Sequence, residues 1–176
     1  MKSIDKIIKA CKKNKAWAQA ELFEKYSDIM FGTCLYYSEN KADAEDLLQD
    51  GFMQIFNNIS KYKDDNLEAW MRRVFINLAL MRYRKNKLET QELNDDYDYT
   101  EFKDYEISAQ LNTNDLMQMI NELPTQYRLV FNLYAIEGYK HREIAEMLDI
   151  NEGTSKSNLS RARNILQNKL KERENI

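Results

Sequence analysis

The stretch HREIAEMLDINEGTSKSNLSRAR, residues 141–163, carries the strongest structural signal of the chain. Its first part has closely spaced apolar residues that predict a short helix: Ile144, Ala145 and Leu148. Residues 149–151 predict a turn, and the helix that follows from Glu152 repeats apolar residues at helical spacing: Leu159, Ala162, Leu166 and Leu170. Because Ala145 is small where the two helices must cross, the pattern is typical of a helix-turn-helix.

The second helix of this motif presents polar and basic side chains when its apolar stripe faces inward. They are Lys156, Ser157, Asn158, Ser160, Arg161 and Arg163. Such side chains contact base edges and phosphates when a recognition helix enters the DNA major groove. His141, at the start of the first helix, is expected to contact a phosphate. The alternative from the pattern alone is a helical hairpin with a solvated basic face.

The composition favours an all-α protein. The 176 residues include 4 glycines and 1 proline, too few for the many turns of a β fold. Cys11 and Cys34 lack a C-x-x-C spacing, and the single histidine cannot complete a zinc site. No apolar run approaches the roughly 20 residues of a membrane span. We therefore expect a reduced, cytoplasmic protein without metal or disulfides.

Charge divides the chain into three parts. Residues 1–87 hold 16 basic and 12 acidic residues, whereas residues 88–120 hold one lysine and 9 acidic residues. Residues 121–176 are nearly balanced, with 9 basic and 8 acidic residues. The acidic stretch lacks a sustained apolar period, which indicates a tether. The predicted organisation is a helical domain over 1–88, an acidic linker over 89–113 and a helix-turn-helix domain over 114–176.

The N-terminal domain is predicted to contain helices over 3–13, 16–31, from Asn40 onward, and over 67–87. The expected core face of the second helix is Trp17, Ala20, Phe23 (with Leu22), Tyr26 and Met30. That of the fourth helix is Trp70, Val74, Leu78 and Met81. Asn40 is expected to cap the third helix, whereas Gly51 inside that helix is expected only to cost stability.

Two helix faces of this domain have polar and charged residues that could form a binding site. Asp46, Gln49 and Asp50 share one side of the third helix, and three readings stay open: solvation, protein docking or, least favoured, metal binding. Arg73, Asn77 and Arg84 share one side of the fourth helix, which suits nucleic acid or a solvated face, with Phe75 and Tyr83 nearby to stack on bases. No phosphate-binding glycine loop or catalytic triad is recognisable, so an enzyme is not expected.

These motifs stand in a fixed order: ADAEDLLQDGF (42–52), EAWMRRVFINLALMRYRK (68–85) and the helix-turn-helix. In this the chain resembles the sigma-70 family of bacterial RNA polymerase initiation factors, in particular the extracytoplasmic-function (ECF) group. Residues 20–87 look like sigma region 2, and residues 121–172 look like sigma region 4. The resemblance implies an all-α protein of two small helical domains, a region 2 bundle and a region 4 helix-turn-helix, joined by the acidic linker.

The resemblance also implies partners and roles. Asp46, Gln49 and Asp50 would dock on the clamp coiled coil of the polymerase β′ subunit, and the β flap would be a second contact. The residues expected to open and read the −10 promoter element are Lys61, Tyr62, Lys63, Arg73, Asn77 and Arg84. Helix 153–167 would read the −35 element. An anti-sigma protein, often membrane-anchored in this group, is expected, but no cofactor or small-molecule substrate.

Two alternative functions, each of a different class, are also considered. A helix-turn-helix repressor or activator would bind an operator without polymerase, and an adaptor would bind polymerase or a sigma factor but not DNA. Three positions depart from the family pattern: Met81 replaces a frequent Asp, Asp149 replaces the turn Gly, and Ser155 replaces a buried Val or Ile. Asp149 is therefore expected to adopt a positive φ or to loosen the turn, and Ser155 to lower stability.

Overall fold

A computed structural model of the chain describes residues 3–63, 66–90 and 113–174. Every regular element in these ranges is a helix, which confirms the predicted all-α class. The chain divides into two compact units, Met1–Tyr83 and Arg84–Ile176. Most of the predicted acidic linker lies outside the described residues. None of the described helices combines the length and hydrophobicity that crossing a bilayer requires.

The first unit contains three α-helices and most of a fourth, which continues past Tyr83. They are α1 (Ile4–Cys11), α2 (Ala16–Tyr37), α3 (Lys41–Asn58) and α4 (Leu67–Thr90), with a 3-10 turn at Ile59–Lys61. The side chain of Asn40 accepts a hydrogen bond from the Asp43 backbone N–H at 2.9 Å, so the predicted cap of α3 is confirmed. The helix α2 packs against both α1 and α3.

The predicted core face of α2 is only partly correct, since Leu22 and Met30 are buried as expected. Trp17 and Phe23, however, are 41% and 43% exposed, and the other buried residues are Ala18, Thr33, Cys34 and Tyr37. The residues at the helix contacts are mostly smaller or more slender than a Trp or Phe ring, which lets the helices approach, while the large rings stay at the edge. Spacing alone offered both faces, because both repeat at three and four residues.

The helix α4 is also rolled differently from the prediction, by roughly 100° at 100° per residue. Leu78 is buried as expected, but Met81 is half exposed, and the core residues are Leu67, Met71, Phe75, Ile76, Leu78, Ala79 and Leu80. Phe75 is therefore a core residue and is not available to stack on bases. Apolar residues cover more than half of the circumference of α4, so periodicity could not select the buried side.

Gly51 has a packing role that the sequence did not reveal. It is buried, and a Cβ at this position would lie 1.9 Å from Cε1 of Phe75. The ring of Phe75 thus rests directly on the backbone of α3, beside Phe52 at a ring-centroid distance of 5.6 Å and in an edge-to-face arrangement. The glycine inside α3 is what lets α4 approach this closely, so it is not merely a cost.

Both cysteines belong to the core of the first unit. Burial raises the pKa of the Cys11 thiol. Burial also raises the pKa of Cys34 to about 12, although the nearby Arg82 guanidinium opposes the shift. The two thiols are therefore packing groups that stay protonated at neutral pH.

The second unit contains the predicted helix-turn-helix. Its helices are α5 (Thr113–Asn121), α6 (Thr125–Phe131), α7 (His141–Leu148) and α8 (Glu152–Glu174), and a π-helical turn at Asn132–Ile136 extends α6. Gly138 has φ 77°, and Asp149 takes the left-handed conformation at φ 54°. Asp149 thus supplies the positive φ that a glycine usually provides in this turn. Pro124 directly precedes α6.

A separate core joins α5 to the C-terminal half of α8. Its buried members are Met119, Ile120, Leu123, Ala162, Leu166 and Leu170. Lys169 donates to Glu122, and Arg173 lies 3.8 Å from Asp115, so two ion pairs flank this contact. The helix α8 is therefore held along its length, first by α7 and then by α5 and α6.

Candidate functional site

The outer face of α8 is the candidate DNA-reading surface. Leu159, Ala162 and Leu166 are buried, as the stripe predicted. At 100° per residue, Ser157 and Ser160 lie near the middle of the opposite face. Lys156 and Arg163 lie along one edge of that face, and Arg161 lies along the other. The surface is thus a narrow polar strip with cations on both sides.

Asn158 does not belong to this surface. It is 3% exposed, so the prediction that it points outward is wrong. It lies four residues before Ala162 and three after Ser155, both of which are fully buried. The buried side of α8 is therefore wider than the leucine and alanine stripe indicated, because it also accommodates polar side chains.

His141 joins the two helices of the motif. Its Nδ1 lies 3.0 Å from Oγ of the buried Ser155, and its ring stacks on Tyr134 with centroids 4.6 Å apart and planes at 20°. The hydroxyl that replaces an apolar group at position 155 therefore has a partner. Burial lowers the pKa of His141, the cations Lys156 and Arg163 lower it further, and Glu152 opposes them. His141 is thus mainly a neutral link between α7 and α8 at pH 7.

The basic side chains at the edges of the strip are held by neighbours. The Arg163 guanidinium lies 5.8 Å from the centre of the Tyr134 ring. The Nη1 atom of Arg161 lies 3.5 Å from the Tyr127 hydroxyl, and Lys156 pairs with Glu152 at 2.7 Å. Contacts of this kind limit the rotamers of long cationic side chains, which reduces the entropy lost when they bind a phosphate.

The exposed side of α4 is the second candidate nucleic-acid surface. Arg73, Asn77 and Arg84 are all exposed, and their spacing places them on one side of the helix. Met81, where the family often has Asp, lies among them and is half exposed. The predicted face is therefore present on this helix, even though its buried side was assigned wrongly.

The segment before α4 needs one correction. Lys61 and Lys63 are exposed, but Tyr62 is 7% exposed and cannot offer its ring to DNA in this conformation. The Tyr62 ring packs against Trp70 at 5.3 Å between centroids. Residues 64–65 lie outside the described residues. Tyr62 is therefore an anchor between two exposed lysines.

The acidic face of α3 is exposed as predicted. Asp46, Gln49 and Asp50 all lie in solvent. Arg82 of α4 donates to the Asp50 carboxylate and approaches the Asp46 carbonyl at 3.3 Å. Asp50 is thus held by a cation from the neighbouring helix. The described residues contain no group of three or more candidate metal ligands.

An apolar groove of about 390 Å³ runs beside this acidic face. It is lined by Phe23, Leu48, Phe52, Met53 and Phe56, with Glu45 and Gln49 at its polar side. This groove was not identified from the sequence. The available signal was the 48, 52, 56 stripe, which recurs every four residues beside the acidic one. The α3 surface therefore combines an apolar floor with carboxylates, a composition common in protein interfaces.

Two family models match the chain, one over its N-terminal helices and one over its helix-turn-helix. Residues 22–89 match the family model described as Sigma-70 region 2, and residues 113–166 match the one described as Sigma-70, region 4. The first match contains the acidic face of α3 and the exposed face of α4. The second contains the helix-turn-helix. Both regions inferred from the sequence motifs are thereby confirmed.

Proteins that align with most of this chain support the same family. The ECF RNA polymerase sigma factor SigW of Bacillus subtilis is 30% identical, over 96% of this chain and 97% of its own length. SigE of Mycolicibacterium smegmatis, also an ECF sigma factor, is 30% identical over 85% of this chain, which spans 60% of that relative. The sigma factor RpoE of Bartonella quintana, solved in complex with the anti-sigma factor NepR, has a TM-score of 0.53 and 25% identity, covering 86% of this chain and 96% of that one. The chain belongs to the sigma-70 family, in its ECF group.

Proposed function

We propose that this ECF sigma factor docks on core RNA polymerase through α3, opens and reads the −10 element with α4, and reads the −35 element with α8. Polymerase binding and promoter recognition follow from membership of the family. The assignment of each step to particular residues is our proposal. The observation that supports it most is that α3 carries an exposed acidic face while α4 carries an exposed basic one.

The proposed docking surface consists of Asp46, Gln49 and Asp50. Their exposure leaves them available to cationic side chains of a coiled coil such as the β′ clamp, and the groove beside them suits its apolar residues. The β flap is proposed as the contact of the second unit. An anti-sigma protein is the further partner that we propose, since the similar RpoE is known in such a complex.

The remaining features are proposed on the same basis. The domains are a region 2 domain over 1–88, a linker over 89–113 and a region 4 domain over 114–176. The protein works in the cytoplasm, where the polymerase is, and uses no cofactor or small-molecule substrate. It contributes no catalytic step of its own, because the polymerase performs the chemistry.

Run-off transcription with purified core polymerase tests the proposal. Promoter-specific transcripts that require both core and this chain are the expected result. Tight binding to an operator without polymerase would instead support the rival regulator, and binding to polymerase without promoter specificity would support the adaptor. The family assignment disfavours both rivals.

Asn77→Ala is expected to slow promoter opening and to relax base preference at one −10 position. An amide side chain presents a donor and an acceptor together, and such a contact is worth about 1–3 kcal/mol of discrimination. Arg84→Ala, on the same side of α4, is expected to weaken binding to all −10 sequences alike, as the loss of a phosphate contact does. Opening rates on a set of single-base −10 variants measure both effects. An unchanged preference profile for Asn77→Ala would remove Asn77 from the readout.

On α8, Arg163→Ala is expected to weaken binding to every −35 sequence equally. It should also lower the slope of log affinity against log salt concentration by about one unit. Arg161→Ala is expected to change which −35 base is preferred. Arg161 lies one helical turn after Ser157, near the start of α8, where the side chains of a recognition helix contact base edges. Holoenzyme binding to single-base −35 variants at several salt concentrations measures both. The opposite assignment of the two effects would mean that α8 enters the groove on its other edge.

A further inference from the structure

The N-terminal helix α1 makes a long-range contact with the segment that precedes α4. Lys12, at the end of α1, donates from Nζ to the backbone carbonyl of Tyr62 at 2.9 Å. The same ammonium lies 5.9 Å from the centre of the Tyr62 ring. One side chain thus holds both the backbone and the ring of a residue fifty positions away in the sequence.

This contact completes an anchor made from three parts of the chain. Tyr62 is buried, with Lys12 on one side and Trp70 of α4 on another. The neighbours of Tyr62 in the sequence, Lys61 and Lys63, remain exposed. Because Tyr62 is held in place, the backbone on either side of it is also held, and this fixes the direction in which the Lys61 and Lys63 side chains point. The helix α1 lies outside residues 22–89, which match Sigma-70 region 2, so the match assigns it no role.

We propose that Lys12 is a positioning residue for promoter opening, and that it acts by holding the Tyr62 segment so that Lys61 and Lys63 face the −10 element. The inference rests on the proposed role of that segment. A charge-assisted hydrogen bond to a partly buried carbonyl is stronger than a neutral one, and the ring contact adds to it. Without the ammonium, the Tyr62 carbonyl loses this donor and the segment samples more conformations.

The test compares Lys12→Met, Lys12→Arg and Lys13→Met in the full chain bound to core polymerase. Methionine keeps an apolar stem but removes the cation, and Lys13→Met removes the same charge from the adjacent exposed position. We expect Lys12→Met to lower the discrimination between the preferred −10 sequence and its single-base variants by about three- to tenfold. Lys12→Arg should restore most of the discrimination, and Lys13→Met should match the parent.

Three further measurements separate positioning from a general effect on folding. Core affinity and −35 discrimination of Lys12→Met should stay at parental values, and its thermal midpoint should fall only slightly, as the loss of one hydrogen bond implies. The inference is overturned if Lys12→Met and Lys13→Met discriminate −10 sequences equally, or if −10 and −35 discrimination fall together with stability. Failure of the proposed function would look different, since the parent holoenzyme itself would then show no promoter-specific opening.

Discussion

Reversing the charge of Asp46 and Asp50 together, as Asp46→Lys with Asp50→Lys, is expected to lower the affinity for core polymerase by about 100-fold or more. Both carboxylates are exposed on α3, and two repulsive contacts would replace two attractive ones against a cationic partner. The only described ion pair lost within the chain is the one between Asp50 and Arg82, whose side chains are 60% and 33% exposed. Solvent screening keeps such a pair within about 1 kcal/mol, so the fold should remain stable.

Fluorescence anisotropy with labelled core polymerase measures the affinity, and circular dichroism measures the thermal midpoint. The matched control is Glu24→Lys with Asp28→Lys, which makes the same charge change on two exposed carboxylates of α2. The control should retain most of the affinity. If the α3 variant binds as well as the parent, the docking assignment is wrong. If it unfolds, the carboxylates serve the fold.

The largest effect on stability is expected at Gly51. Gly51→Ala should lower the free energy of unfolding of the first unit by about 2–4 kcal/mol, although alanine is the better helix former by about 1 kcal/mol. The added Cβ would lie 1.9 Å from a ring carbon of Phe75, so the ring or the helix must move. Gly32→Ala is the matched control, because a Cβ there meets nothing within 4 Å. That variant should be neutral or stabilising.

Urea unfolding followed by tryptophan fluorescence isolates this unit, since both tryptophans, Trp17 and Trp70, lie in it. A smaller side chain at position 75 should make room for the new methyl group. Gly51→Ala combined with Phe75→Leu is therefore expected to cost less than the sum of the two single changes, by at least about 1 kcal/mol. Simple additivity would show that the two residues are not coupled, which would contradict the packing argument.

The parts of the fold that could be predicted have narrow apolar stripes and clear end signals. The helix α8 was oriented correctly because Leu159, Ala162 and Leu166 leave little choice of buried side. The cap at Asn40 and the positive φ at Asp149 were also accessible, because each depends on local chemistry. The order of the motifs gave the family, and the exposed residues of α3 followed from the same spacing.

The remaining features depend on contacts between distant residues. The roll of α4 was not predictable, because its apolar residues allow several buried sides and α3 selects one of them. The value of Gly51 depends on Phe75, 24 positions away. In the same way, the polarity of Ser155 makes sense only beside His141, and the burial of Tyr62 only beside Lys12. Each involves one residue whose chemistry is unexceptional until its partner is known.

The burial of both cysteines has a consequence for oxidant chemistry. Thiolates, not thiols, react with peroxides and disulfides, and burial raises the pKa of Cys34 to about 12, so that its thiol stays protonated at neutral pH. Cys11 is likewise buried with a raised pKa. Since these are the 2 cysteines of the chain, the folded protein offers no reactive thiol to an oxidant. Any oxidation of the folded first unit would therefore fall on its exposed methionine side chains, such as Met53 and Met81, before it reached a thiol.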